Sequence, residues 1–105
     1  GDTVTEDLVF TTSSTAKPKA LHGILETAVK GGFLEARDGL LKLMLTYGLS
    51  GTDLIKQIQD EIWKLGVDDR RKLELVKMCG ECEFRLVEGS DEFIQLEALL
   101  AQFGL

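Results

Sequence analysis

The chain has 105 residues, 44% of them hydrophobic and 29% charged, and a formal net charge of −6. A chain of this length forms one domain that buries about 60 to 70% of the surface its unfolded form exposes, and its composition excludes a disordered tail. The acidic balance excludes a dominant phosphate-binding surface, which needs clustered Lys and Arg, and two cysteines are too few for a disulfide framework.

No run of about 18 or more apolar residues occurs, and no charged-then-apolar signal opens the chain, so a soluble, intracellular protein with no membrane partner is expected. The sequence begins with Gly1 and a polar stretch rather than Met. A fragment cut from a longer protein is the expectation, with removal of an initial Met the rival explanation.

Residues 1–16 read as a linker. Its apolar cluster, Leu8, Val9 and Phe10, is bounded by Thr5-Glu6-Asp7 and Thr11-Thr12-Ser13-Ser14-Thr15 and is expected to dock on something. Residues 17–105 read as a helical domain. Pro18 suits a first helical turn, where its missing N–H is not needed, and Leu21, Ile24, Leu25, Ala28 and Val29 form an amphipathic stripe that Gly31-Gly32 ends. His22 lies among the polar positions of this helix and reads as a surface residue.

A second helix spans Phe33 to Tyr47, with Leu40, Leu41, Leu43, Met44 and Leu45 apolar and Gly48 at the C-cap. Ser50-Gly51-Thr52-Asp53 reads as a capping box that opens a third, whose buried stripe is Leu54, Ile55, Ile58, Ile62 and Leu65. Trp63 falls off that stripe. It is either packed under a neighbouring loop or an anchor for another protein, a role in which Trp is over-represented.

Asp68 caps a fourth helix over Asp69 to Glu88 that is apolar on two faces. Leu73, Val76, Gly80, Phe84 and Val87 fall on one stripe; Leu75, Met78, Cys79, Cys82 and Leu86 fall nearly opposite, with charged residues between. This pattern places the helix at the centre of the fold, sandwiched between packed neighbours. Gly89 ends it, and Ser90 is expected to cap a fifth helix with Asp91 and Glu92 in its first turn. There Phe93, Leu96, Leu99, Leu100 and Phe103 form one flank and Ile94, Ala98 and Ala101 another. That is more apolar surface than a terminal helix of a monomer needs, so contact with a second chain is expected. The fold class is all-α, a compact five-helix bundle.

No catalytic constellation emerges. Cys79-Gly-Glu-Cys82 has the spacing of half a zinc site, but a structural site takes four ligands and the other soft candidate is the distant His22. Both thiols sit on an apolar stripe, where free Cys packs as a small hydrophobe. The phosphate loop G-x-x-x-x-G-K-[ST] is absent from the sequence. Glu81 and Arg85 stand at i, i+4, a pair worth about 0.2 to 0.5 kcal/mol to a helix. No enzyme activity, cofactor or metal is expected of this segment.

At Tyr47-Gly-Leu-Ser-Gly-Thr-Asp53, at Gly80-Glu-Cys-Glu-Phe-Arg-Leu-Val-Glu-Gly-Ser90 and at Ile94-Gln-Leu-Glu-Ala-Leu-Leu-Ala101, the chain resembles the C-terminal collar domain of replication factor C small subunits, in their archaeal form. The resemblance covers almost the whole chain, with Val4 to Phe10 and Pro18 similar to the exit from the preceding ATPase lid and the start of the first collar helix. It implies an oligomerisation domain of a AAA+ clamp loader in DNA replication. Side-by-side association with other clamp-loader subunits, including further copies of the same chain and a large subunit, would form a collar. ATP, Mg, the sliding clamp and DNA would be bound by N-terminal domains outside this chain, and the location would be the archaeal cytoplasm, or the nucleus in a eukaryote. Cys82 stands where the family pattern leads one to expect another residue, which strengthens its reading as packing.

The expected subunit interface is one flank of the fifth helix with the edge of the fourth: Arg85, Glu88, Gln95, Leu96, Leu99 and Phe103, with Trp63 a further candidate; the alternative for each Leu and Phe is the domain's own core, and for Arg85 and Glu88 a solvated edge. The competing reading is a non-enzymatic helical adaptor that docks a partner helix or peptide in a groove.

Overall fold

The computed structural model describes residues 17–105, so the linker over 1–16 and its Leu8 to Phe10 cluster lie outside the described residues. Five helices follow one another: α1 (Pro18–Val29), α2 (Phe33–Tyr47), α3 (Gly51–Ile62), α4 (Asp69–Val87) and α5 (Glu92–Phe103). No strand occurs among the described residues. All five helices match the expected ones.

Their ends follow local chemistry. Pro18 opens α1, and Gly31 leaves it with φ of 92°, backbone space that a side chain would strain. Gly48 closes α2 in the left-handed conformation. The Ser50 hydroxyl accepts the Asp53 N–H at 3.2 Å, and the Asp68 carboxylate accepts the Arg71 N–H at 2.8 Å. At α5 the expectation shifts by one residue: Asp91, not Ser90, accepts the Ile94 N–H, at 3.0 Å. A carboxylate at this position meets the same free donors with a full negative charge. The third stripe also extends past its helix, since α3 ends at Ile62 while Leu65 packs into the core from the following loop.

The core is built from Leu21, Leu25 and Ala28 of α1, Leu40, Leu43 and Met44 of α2, and Leu54, Ile55, Ile58 and Ile62 of α3. Leu75, Cys79 and Cys82 of α4 join it, with Leu96, Leu99, Leu100 and Phe103 of α5. The helix that touches every other one is α5, whereas α4 packs closely only on α3 and α5. The expectation that α4 is central is therefore overturned. One of its stripes, Leu75, Cys79, Cys82 and Leu86, is buried; of the other, Leu73 is 61%, Phe84 53% and Val87 68% exposed. The bundle covers one face of α4 and leaves the second without a neighbour among the described residues.

Ties between side chains fix the layers. Arg37 Nε of α2 donates to Glu97 Oε1 of α5 at 2.7 Å. Arg71 near the start of α4 donates to the Gln102 carbonyl at the end of α5, where a cation suits the helix dipole. Among the described residues Glu61 is the one buried charged residue. Lys64 Nζ and His22 Nδ1 each lie 3.4 Å from its carboxylate.

Candidate interaction surface on the fourth and fifth helices

The outer side of α4 and α5 carries the features that set this chain apart from a self-sufficient bundle. Between the two helices runs a groove of about 260 Å³, lined by Met78, Cys82, Arg85, Gln95, Ala98 and Leu99 among others. Beside it a shallower apolar depression is lined by Gly80, Phe84, Arg85 and Glu88. The two share Glu81 and Arg85, so they form one continuous trough along the outside of α4. Phe84 and Val87 on the last turns of α4 and Ile94 on the first turn of α5 flank the short connection 88–91, and Ile94 is 65% exposed. Large apolar residues left exposed beside charged ones, as Phe84 is beside Arg85 and Glu88, have the make-up of an interface.

The seven expected interface residues divide into three groups. Arg85 and Glu88 are exposed, Gln95 is half-buried, and the structure brings Arg85 and Gln95 together at the groove. Trp63 is 53% exposed at the C-cap of α3, where its carbonyl accepts from Lys72 Nζ at 3.1 Å; it lies away from the trough. Leu96, Leu99 and Phe103 are 1%, 4% and 2% exposed, turned into the chain's own core, and only Leu99 reaches the groove floor. The structure thus places them in the alternative location, the domain's own core. The apolar surplus of α5 is present, but on the other flank, at Ile94, Ala98 and Ala101, all exposed.

Residues that sequence reasoning did not assign to a surface are Leu73, Phe84 and Val87. Their signal is the double stripe of α4, whose periodicity says that both faces leave water but not which chain covers each. Glu81 and Arg85 do not close into an ion pair, and both side chains stay exposed on the trough.

The thiols behave as buried apolar groups. Burial, followed by the neighbouring Cys82, pushes the Cys79 thiol up to about 12, and burial raises Cys82 against a lowering influence from Arg85. Neither is poised as a nucleophile, which needs a lowered pKa. Among the described residues no group of three or more His, Cys, Asp or Glu side chains could hold a metal ion. Nor is any described helix long and apolar enough to cross a membrane.

Residues 16–102 match the family model described as the replication factor C C-terminal domain. The chain is 48% identical over 102 residues to a replication factor C small subunit of Methanocella arvoryzae, covering 97% of this chain and 32% of that protein. It is 45% identical over 104 residues to the corresponding protein of Methanocaldococcus jannaschii, with 99% of this chain and 6% of that protein covered. A Pyrococcus horikoshii small subunit is 45% identical over 102 residues, 97% of this chain and 12% of its own length. The chain thus spans a third or less of these relatives.

Proposed function

Because the chain belongs to the replication factor C C-terminal domain family, we propose that it is the non-catalytic assembly domain of a clamp-loader small subunit, archaeal in type and cytoplasmic. In this reading it holds neighbouring subunits side by side in a collar. Domains elsewhere on the full-length protein bind ATP with Mg, the sliding clamp and primed DNA. The chain's own task is mechanical. A rigid bundle with a large buried core transmits position without needing chemistry, and it can stay assembled while nucleotide-binding domains cycle.

The observation that carries this reading is the uncovered apolar stripe of α4, Leu73, Phe84 and Val87, with Arg85 and Glu88 beside Phe84 on the trough and Ile94 of α5 exposed as well. Burying such residues contributes roughly 25 cal/mol per Å² of apolar area removed from water, and a stable interface takes about 800 Å² per partner. In this role Leu96, Leu99 and Phe103 act from beneath, holding α5 so that its outer flank meets the neighbour. Trp63 belongs to a second, separate edge.

Sedimentation of the chain from low to high micromolar concentration tests the reading. Reversible association is expected, and Phe84→Glu should return the chain to monomer with helix content unchanged. A wild-type chain that stays monomeric throughout contradicts it.

A further inference from the structure

Gly80 stands in the middle of the exposed stripe of α4, and a Cβ built there would meet nothing within 4 Å. Glycine in a helix interior is destabilising relative to alanine, and the fold of this chain gives no reason for it: its φ is not positive and no side chain of the bundle needs the space. Above and below it lie Leu73, Val76, Phe84 and Val87. The result is a notch in an apolar ridge, the shape that lets a second helix approach closely.

A second uncovered stripe exists on α2. Leu34 is 72% and Leu45 79% exposed, with half-buried Leu41 between them on the same side of the helix. Helices α2 and α4 both pack on α5 but have little or no contact with each other, so the two stripes look outward from different places. Two unlike apolar faces on one chain suit head-to-tail association rather than a symmetric dimer through one patch.

Charge pairs the two faces. On α2, Asp38 and Lys42 flank the stripe; on α4, Glu81 and Arg85 flank it on the same rotational side. Antiparallel packing of two helices brings those sides together, and both charged pairs are four residues apart. Asp38 then lies across from Arg85 as Lys42 lies across from Glu81, and Gly80 falls level with the gap between Leu41 and Leu45. Asp38 has a 3.4 Å contact with Arg37 in its own chain yet keeps 69% of its side chain exposed. The same register sets Glu35 opposite Glu88 at one end, a like-charge cost.

We infer that the notch at Gly80 on α4 receives the outer face of α2 from a second copy of this chain, packed antiparallel. The inference rests on the assembly reading above and specifies which two faces meet.

The test uses the 105-residue chain carrying Gly80→Leu. A leucine that replaces a glycine with open space around it should raise the melting temperature of the monomer. It should also weaken association by about tenfold or more, tenfold being the loss that about 1.4 kcal/mol produces. A chain that only needs Gly80 for its own fold would melt lower. If the wild type associates and Gly80→Leu associates equally well, the notch is overturned while the assembly reading stands; if the wild type never associates, both fall. Mixing a Leu45→Cys chain with a Gly80→Cys chain under mild oxidation should give a mixed disulfide dimer, whereas Gly80→Cys linking only to itself would overturn α2 as the occupant. Glu35→Lys should tighten association, and a weakening would overturn the antiparallel register.

Discussion

Glu92 Oε2 accepts a hydrogen bond from the Gly51 N–H at 2.8 Å, so a side chain in the first turn of α5 caps the first turn of α3 from 41 residues away. The carboxylate also sits at the positive end of its own helix, and one negative charge serves two helix N-termini. The contact is so close that a Cβ on Gly51 would come within 2.7 Å of the Glu92 Cβ. Here glycine is required by space, since its φ is ordinary.

Gly51→Ala is therefore expected to cost about 1 to 3 kcal/mol, the range for forcing atoms into a packed site. Glu92→Gln keeps an acceptor but removes the charge, at about 0.3 to 1 kcal/mol, and Glu92→Ala loses both. Urea denaturation of the three variants should find Glu92→Gln the mildest, below both Glu92→Ala and Gly51→Ala.

Leu99 and Phe103 provide a contrast with the outer face of α4. Both are buried in the core, so Phe103→Ala should cost about 3 to 5 kcal/mol. Leu99→Glu or Phe103→Glu places a carboxylate in an apolar interior, and loss of helical circular dichroism at room temperature is the expected outcome. A folded but monomeric Leu99→Glu chain would instead place Leu99 on a contact surface.

Cys79 sets a pH window. Its thiol ionises at 9.0 when unperturbed and at about 12 in the folded chain, because burial disfavours the thiolate. Between these values the unfolded chain releases a proton that the folded chain keeps, so rising pH favours unfolding. Each pH unit in the window removes up to about 1.4 kcal/mol of stability. The Cys79→Ala chain, followed by denaturation at a series of pH values, should show a shallower decline than the wild type. Alkylation of Cys79 in the folded chain at mildly alkaline pH should be slow and should accelerate in denaturant.

Trp63 is the single tryptophan, half exposed, which makes fluorescence a clean report on one edge of the bundle. Iodide should quench it appreciably in the dilute chain. Trp63→Ala should cost about 1 kcal/mol or less, since a surface site away from the core carries little of the stability. If the Trp63 edge meets a neighbour on assembly, quenching should fall as concentration rises; unchanged quenching would confine the contact to the α2 and α4 faces.

Much of the fold was legible because its signals are local. Pro18, Gly31, Gly48 and Gly89 mark where helices begin or end through φ and missing donors, and Ser50 and Asp68 cap the helices they precede. The shift from Ser90 to Asp91 shows the limit of this logic, since two adjacent capping residues compete and the path of the chain chooses. The absence of a phosphate loop and the motifs shared with replication factor C domains were also readable without coordinates.

The chain's own order of residues determined five helices, their caps and which stripes are apolar, because periodicity and capping act within one or two turns. Tertiary packing alone decided that the Leu96, Leu99 and Phe103 flank of α5 faces inward, that Ile94 and Ala98 face outward, and that α4 lies at the edge with Leu73, Phe84 and Val87 uncovered. An apolar stripe states that a face must leave water. Whether its cover comes from the same chain depends on how many helices can surround one core, and here α5 took the central place.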